Sequence, residues 1–481
     1  MRTFRLSNGE TITLAEPNLL GAGGEARIYK IPNHPHLVAK LWHKPTPERG
    51  EKVRLMIANP PVDPMAGQHV SIAWPIDLLV DAAKGKRAVG FLMPFVGGMR
   101  PLFDFFNPKT RREHCPLFNW FYLHRTARNM ATAIRALHER GYVIGDLNES
   151  NVMVSETSLA TIVDTDSFQV IDRNNNHIFR CRVGKPELTP PEMQGKTFAN
   201  FTRTPAQDRF GLAILIHQLL MEGTHPFAGH YTGVGEPPPY EARISAGHYP
   251  YAGDSRIPYH PKPTAPPFHI LHRTLQHLFQ RCFVDGHARP EQRPDAQSWQ
   301  YGLEEAELGL VSCWANMQHV YNSLLEQCPW CERAQLLGGR DPFPSVEAVQ
   351  TGTHLKKIAP PRTRRTDHPA PVSHTAPPIP AHVSSNSPSA TYTPKVVLGS
   401  RPGYYTIGSV ILAIISVISY WINWPLSLIS SAFGLVVGIM GVEEALDAQN
   451  KNKKIAMAAT WVCLICFFLL TFRACRSLAP N

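Results

Sequence analysis

Hydrophobic and polar positions alternate in short runs early in the chain and recur at helical spacing further on. The alternation favours β-strands over Thr11–Leu14, Ala26–Ile31 and Leu37–Trp42. Apolar residues three and four positions apart predict helices over Leu123–Arg140 and Phe210–Met221. Strands followed by helices predict an α+β protein of two unequal lobes within residues 1 to about 335.

Three apolar stretches near the other end contain no charged residue. They cover residues 404–422, 424–442 and 455–472. Each approaches the ~20 residues that cross the hydrocarbon layer, so the pattern predicts about three transmembrane helices within 403–473. A buried hairpin in a soluble core is the alternative, but an uncharged run this long is unusual there. Lysines between the second and third stretches predict a cytoplasmic loop, and hence a cytoplasmic N-terminal region.

The composition is uneven, with 44 prolines in 481 residues. Proline is poorly tolerated inside regular elements, so these residues should collect in linkers. Residues 338–402 are rich in Pro, Ser and Thr and lack apolar periodicity, which predicts a disordered tether. The tether would have a reach of ~40 Å if it behaved as a random chain.

Charge and cysteine usage narrow the class of protein. The formal charge is +10, but there is no arginine-rich arm with interleaved aromatic residues, so no nucleic-acid partner is expected. Nine cysteines in a chain of this length exclude a disulfide scaffold. The N-terminus lacks the apolar core of a secretory signal, so the first part should face a reducing cytosol.

Two early motifs are suited to binding phosphate. The run Leu20–Ile28 contains Gly21, Gly23 and Gly24 between two strand-like segments, where backbone N–H groups can close over phosphates; a simple hairpin turn is the alternative. Lys40 lies within an apolar strand and needs an anionic partner there, unless its charge reaches solvent from an edge strand.

Carboxylates and an amide follow in a fixed order. Asp146 and Asn151 lie five residues apart in a loop between a helix and an apolar strand, and Asp164 ends the next apolar strand. Phosphoryl transfer requires a carboxylate that accepts a hydroxyl proton and oxygen ligands that hold Mg²⁺. The order and spacing of these residues together are more specific than any one of the residues alone.

With these motifs, residues 10–300 resemble the protein kinase superfamily, which implies a two-lobed kinase-like fold. The resemblance makes Asp146 the catalytic base, Lys40 the lysine on the ATP phosphates, and Asn151 and Asp164 the Mg²⁺ ligands. It assigns nucleotide contacts to Gly21, Gly23, Gly24, Ile28, Ala39, Lys40, Met93 and Phe95. Glu192, Asp208 and Arg293 match further family positions in the helical lobe.

Several positions depart from the family pattern. Ala26 replaces the third glycine, Ile144-Gly145 precedes the catalytic Asp in place of His-Arg, Asn148 replaces a lysine, and Asp164-Thr165-Asp166 replaces Asp-Phe-Gly. Losing the lysine removes a cation from the transferring phosphoryl group, which implies slow turnover. The glutamate that should pair with Lys40 is either Glu48 or Glu51, of which Glu51 is preferred, although both could be charges that favour a helix start.

The motifs from 21 to 29 and from 144 to 170 are similar to those of a divergent bacterial group of kinases. These kinases accompany a von Willebrand A-domain protein and a PP2C-type phosphatase in tellurite-resistance-type triads. The resemblance therefore implies these two partners and a protein substrate. Together with the three apolar stretches, it predicts a multi-pass location in the bacterial inner membrane.

A second site follows within residues 301–337. Cys313, His319, Cys328 and Cys331 have the spacing C-x5-H-x8-C-x2-C, which predicts a structural Zn²⁺ in a small zinc-knuckle-like module. A redox C-x-x-C pair, or two buried thiols beside an unrelated histidine, are the alternatives. A module this small would gain its folding energy from the metal.

The leading functional hypothesis is a membrane-anchored Ser/Thr protein kinase that uses ATP and Mg²⁺. Autophosphorylation is a corollary, because Thr363 and Thr366 lie on the predicted tether. The alternative is an ATP-binding pseudokinase that acts as a membrane-tethered scaffold, motivated by Gly145, Asn148 and Asp166. A sensor or transport role for the apolar spans is disfavoured, because they contain no Asp, Glu, Lys, Arg or His.

Overall fold

A computed structural model describes residues 1–83 and 87–356 of the chain. The strands are β1 Arg2–Arg5, β2 Thr11–Leu14, β3 Leu19–Ala22, β4 Ala26–Lys30, β5 Leu37–Trp42, β6 Asp77–Asp81, β7 Ala88–Pro94, β8 Arg100–Pro101, β9 Val152–Val154, β10 Ala160–Ile162, β11 Val170–Asp172, β12 His177–Phe179, β13 His230–Tyr231, β14 Tyr259–His260, β15 Leu310–Ser312 and β16 Val320–Asn322. The α-helices are α1 Pro47–Ala58, α2 Leu102–Phe106, α3 Pro108–His114, α4 Trp120–Glu139, α5 Pro205–Leu220, α6 Tyr240–Ser245, α7 Arg273–Gln280, α8 Gly286–Ala288, α9 Ala296–Leu308, α10 Pro329–Leu336 and α11 Val346–Gln350.

The N-terminal lobe is built on a seven-stranded sheet with the strand order β2-β1-β6-β7-β5-β4-β3. Every neighbouring pair is antiparallel. Side chains alternate between the two faces, as strand geometry requires. One face buries a cluster that includes Phe4, Tyr29 and Leu92. The other face buries Phe91 against residues of α1 such as Val53.

The second lobe is mainly helical. In α4 the buried residues recur three and four positions apart, and Asn119 caps the helix by accepting hydrogen bonds from the N–H groups of Phe121 and Tyr122. Helix α5 begins after Thr204, which forms a capping box with Gln207. Because α5 is buried on nearly all sides, it forms the centre of this lobe.

A buried ion pair ties the helical lobe together. The Arg293 guanidinium donates two hydrogen bonds, of 2.8 and 2.7 Å, to the Glu192 carboxylate, and its side chain is fully buried. The paired geometry satisfies both groups, which a lone buried charge would not allow. These two sequence-predicted positions therefore lie together although they are 101 residues apart.

The region after α9 belongs to the same hydrophobic core as the helical lobe. Cys313, Trp330 and Phe343 are buried in the cluster that contains Trp120 of α4. The prediction of a disordered tether from residue 338 is therefore wrong for 338–356, because Phe343 packs edge-on against Trp330 and α11 follows it.

In the described ranges, no helix has both the length and the apolar character needed to cross a bilayer. The three predicted spans (404–422, 424–442 and 455–472) and the rest of the predicted tether lie outside the described residues.

Candidate active site

Lys40 lies in the middle of β5, and its ammonium group contacts two carboxylates. Its Nζ is 2.6 Å from Oδ1 of Asp164 and also forms a hydrogen bond with Oδ1 of Asp166. Burial acts to lower the pKa of Lys40, but the attraction of Asp166 and Asp164 outweighs it, so the pKa is raised. Lys40 is therefore a paired, permanently charged group.

The two aspartates follow β10 and differ in exposure. The Asp164 side chain is 39% exposed, whereas that of Asp166 is 13% exposed. Asp164 adopts a left-handed backbone conformation with φ = 58°, a conformation uncommon for residues other than glycine. Burial raises the pKa of Asp164 despite the attraction of Lys40. For Asp166, burial acts in the same direction, but Lys40 and the hydrogen bond from Trp42 lower the pKa overall.

Asp208 of α5 anchors the loop that carries Asp146 and Asn151. The buried Asp208 carboxylate accepts hydrogen bonds from the backbone N–H groups of Ile144 and Gly145, at 2.7 and 2.8 Å. Asn151 donates its side-chain amide to Asp146, 3.0 Å from the backbone oxygen and 3.3 Å from Oδ2. The carboxylate of Asp146 is thus oriented from one side.

Asn148, which stands where the family pattern has a lysine, stabilises the same loop. Its side chain donates to the backbone oxygen of Asp146 and accepts from the N–H of Ser150, at 3.1 and 2.9 Å. Because it is buried and bonded within the loop, Asn148 supplies no charge to the site.

Asp146 lines two cavities. A cavity of about 440 Å³ has both aspartates of the β10 turn in its wall. Its other charged lining residues are Glu25, Lys44, Glu48, Arg49, Lys52, Arg180 and Arg182. Five cations and five carboxylates therefore line this cavity, so charges of both signs face it. A smaller cavity on the other side of Asp146 is lined by Lys185, Thr189 and Arg203.

The other predicted nucleotide contacts lie on the strands around Lys40. Gly21 pairs with Ile28 in the β3–β4 hairpin, and Ile28 pairs in turn with Lys40. Gly23 and Gly24 occupy the hairpin turn, where the Gly23 N–H donates to the Ala26 oxygen at 2.9 Å. None of these four residues lines the 440 Å³ cavity.

Met93 is the partner of Val38 near the end of β7, and Phe95 follows that strand and is 38% exposed. The prediction for Ala39 is wrong. Ala39 pairs with Leu92, and both are buried in the cluster on the opposite face of the sheet from Lys40. Successive strand residues point to opposite faces, so Val38, not Ala39, shares the face of Lys40.

Neither candidate glutamate is the partner of Lys40. Glu48 pairs with Arg182, and Glu51 pairs with Arg54 of its own helix, so the preference for Glu51 is wrong. Lys52 of α1 contacts the turn that carries Asp164 and Asp166. Its Nζ donates to the backbone oxygen of Asp166 at 2.7 Å, and burial lowers its pKa to about 8.

Gly145, which precedes Asp146 where the family pattern has an arginine, has no room for a side chain. Its φ is +75°, and a Cβ atom there would lie 2.3 Å from Nη1 of Arg203 and 2.7 Å from Cβ of Cys181. The Arg203 guanidinium stacks on Phe198 and fills the space beside Gly145. An arginine from a distant segment therefore occupies the volume next to the catalytic loop.

Substitution of Gly145 by alanine is expected to lower the free energy of unfolding by about 2 kcal/mol or more, because strain and a steric clash add. The matched control is Gly195→Ala, since Gly195 has φ = +72° but nothing within 4 Å of a Cβ. Urea unfolding followed by tryptophan fluorescence measures both. Equal losses in the two variants would contradict the close contact with Arg203.

The predicted zinc ligands come together in one cluster. The ligand atoms of Cys313, His319, Cys328 and Cys331 all lie within 4.8 Å of one another. The Sγ atoms of Cys313 and Cys331 are 3.7 Å apart. Nδ1 of His319 is 3.3 Å from Sγ of Cys331 and 3.6 Å from Sγ of Cys328. Ligands about 2.3 Å from a tetrahedral centre are separated by roughly 3.7 Å, so the donor set fits Zn²⁺.

The carboxylate of Asp341 lies beside this cluster and contacts His319. Nε2 of His319 is 2.9 and 3.0 Å from the two oxygens of Asp341. Asn316 and the N–H of Phe343 also donate to Asp341, at 3.2 and 2.8 Å. This contact turns Nδ1 towards the sulfurs and fixes the tautomer that a metal needs.

Sequence reasoning missed Asp166, Lys52 and Asp341. Asp166 was visible only as a departure from the family motif, although a second carboxylate two residues after Asp164 is itself a signal. Lys52 is one of several charged residues in α1, and Asp341 follows Cys331 by ten residues, so no local pattern identifies either.

Comparison with known proteins gives relatives but no match to a model of a protein family. Two similar proteins, from Escherichia coli strain K12 and from Escherichia coli O157:H7, are named protein kinase YegI. Identity is 34% over 328 and 332 residues, or 68% of this chain. The chain spans about half the length of these relatives, 49% and 50%.

Proposed function

Because the chain is a divergent member of the protein kinase family, we propose that it transfers the γ-phosphoryl group of ATP to serine and threonine hydroxyls of proteins. One observation carries the proposal: three separate segments bring Lys40, the Asp146–Asn151 loop and Asp164 together, and Asp146 and Asp164 line one cavity. Tellurite-type partners, a von Willebrand A-domain protein and a PP2C-type phosphatase, are part of the proposal by resemblance alone.

In this mechanism Asp146 receives the proton of the acceptor hydroxyl. Asn151 donates to Oδ2 of Asp146, which leaves Oδ1 free to meet the acceptor. Asp146 lines both cavities, so the phosphates of ATP would reach it beside Lys40 and Asp164, and the acceptor side chain would approach from the smaller cavity. This placement suits a base that acts on a hydroxyl in line with the phosphate.

Oxygen atoms of Asn151 and Asp164 would hold Mg²⁺, since carboxylate and amide oxygens are its preferred protein ligands. When bound, the metal would neutralise charge on the phosphates. Lys40 would hold the phosphates of ATP.

Lys185 supplies the positive charge that Asn148 does not. It lines the acceptor-side cavity with Asp146 and forms an ion pair with Glu149 of the same loop. A cation at this position would stabilise the transferring phosphoryl group.

The test is phosphate transfer by the purified full chain, with ATP, Mg²⁺ and a generic basic protein as acceptor. Asp164→Asn should lower the rate at least 100-fold, because it removes a charged metal ligand. Asp285→Asn, an exposed aspartate of the helical lobe, is the matched control and should leave the rate unchanged. Phosphoamino-acid analysis decides between Ser, Thr and Tyr, and equal rates in both variants would refute the proposal.

A pseudokinase scaffold is the second candidate, favoured by the neutral Asn148 and by the ion pairs that Lys40 makes with Asp164 and Asp166. ATP binding with no transfer to any acceptor would support this alternative.

Membrane anchoring through the apolar stretches, in a bacterial inner membrane, is also proposed. Autophosphorylation of Thr363 and Thr366 would be found by mass spectrometry after incubation with ATP; an unmodified tether would refute that part.

A further inference from the structure

Lys40 has two acidic partners, and both come from the turn after β10. Within residues 1–83 and 87–356, no glutamate of α1 reaches it, since Glu48 and Glu51 pair with arginines elsewhere. A buried lysine needs such a partner to remain charged and in place. The turn, not the helix, therefore supplies the acid.

The two acids are placed for different tasks. Asp164 is 39% exposed and faces the cavity. Asp166 is 13% exposed, and its second oxygen, Oδ2, accepts from the indole N–H of Trp42 at 3.2 Å. Both oxygens of Asp166 are thus used inside the protein. Asp164 has a carboxylate oxygen left for a metal, whereas Asp166 is bound to Lys40 and to the neighbouring residue of the same strand face.

Helix α1 places a positive charge, not a negative one, next to the Asp166 turn. Lys52 is buried, and its Nζ donates to the backbone oxygen of Asp166. Lys40 and Lys52 therefore approach the same residue from the sheet and from the helix. An acid in place of Lys52 would lie beside Asp166, the residue that pairs with Lys40, so the charges of the helix and of the turn are exchanged.

Resting on the proposed function, we propose that Asp166 is the positioning residue that holds Lys40 for the ATP phosphates, and that Lys52 fixes the Asp166 turn to helix α1. The position of Lys40 then depends directly on the turn that carries the metal ligand Asp164, rather than on an acid of the helix.

The experiment measures the dissociation constant of a fluorescent ATP analogue with Mg²⁺, and the KM and kcat of transfer, in the full chain. Asp166→Asn should weaken nucleotide binding at least about tenfold, because a charged hydrogen bond is lost. In a Lys40→Met background, Asp166→Asn should cause little further loss, because Asp166 acts through Lys40. Unchanged nucleotide affinity in Asp166→Asn alone would overturn the proposal. Additive losses of affinity in the double variant would also overturn it, because they are expected of a direct metal ligand.

A charge exchange gives the second test. Adding Lys52→Glu to Asp166→Asn returns an acid to the site from the helix and should recover at least about threefold of the lost nucleotide affinity. A Lys52→Gln addition is the matched control and should recover none. If Lys52→Glu and Lys52→Gln gave equal nucleotide affinities when added to Asp166→Asn, the proposed exchange of charges between helix and turn would be overturned. Because nucleotide binding is measured without turnover, a chain that binds ATP but transfers no phosphate would refute the proposed function and leave this inference standing.

Discussion

Replacing Asp146 by asparagine is expected to reduce the rate of phosphate transfer by about 10²–10⁴-fold, because the acceptor hydroxyl loses its general base. Asparagine keeps an oxygen that can accept the hydrogen bond from Asn151, so the loop should retain its shape. ATP affinity should change little. The measurement is kcat under saturating ATP and Mg²⁺, together with nucleotide binding and thermal unfolding of the variant.

The control for Asp146→Asn is Asn148→Ala. It removes loop hydrogen bonds without removing a charge, so it reports how much activity depends on loop shape alone. If Asp146→Asn transferred phosphate within threefold of the unmodified chain, Asp146 would not be the base.

For a zinc ion held by the Cys/His cluster, removal is expected to give the largest loss of stability. Structural Zn²⁺ contributes on the order of 10 kcal/mol to the folding of small zinc modules at neutral pH. Cys331→Ser should abolish tight zinc binding and lower the free energy of unfolding by several kcal/mol, because the remaining ligands are left without a metal. The measurements are zinc content per chain and the temperature of unfolding.

The effect should extend beyond the cluster, because the cluster is packed into the helical lobe. Trp330, next to Cys331, is fully buried and lies 5.2 Å from Trp120 of α4, centroid to centroid. Two residues further on, Arg333 pairs with the buried Glu222, which also lies 4.0 Å from Arg111. Loss of the metal would loosen these contacts and destabilise α4 and α5.

The matched control for this variant is Cys115→Ser. Cys115 is a buried thiol of the same core but does not belong to the cluster, so it reports the cost of the substitution itself. An unmodified chain that binds no zinc, or two variants with equal unfolding temperatures, would contradict a structural metal site.

Much of the fold follows from local patterns. The predicted strands Thr11–Leu14 and Leu37–Trp42 have the bounds found in the structure, and the helix predicted from Leu123 begins at Trp120. These elements depend on alternation and helical spacing within a dozen residues, which a sequence displays directly. Alternation along β5 by itself places Ala39 and Lys40 on opposite faces of the sheet.

Local patterns in the sequence do not predict which distant residues contact the site residues. Lys40 and Asp166 are 126 residues apart, and Arg203 reaches Gly145 from another segment. Which of the five charged residues in α1 contacts the Asp166 turn depends on how that helix packs on the sheet. The same holds for Asp341, whose contact with His319 depends on the path of the chain after α10.

The sequence by itself determined several early strands, two long helices, the motif residues Lys40, Asp146, Asn151 and Asp164, and the four residues of the Cys/His cluster. Only the tertiary structure decided that Asp166 pairs with Lys40, that Lys52 contacts the Asp166 turn, and that the Cys/His region shares the core of the helical lobe. The physical reason is that spacing along the chain fixes local geometry, whereas the pairing of buried charges is fixed by which distant segments pack together.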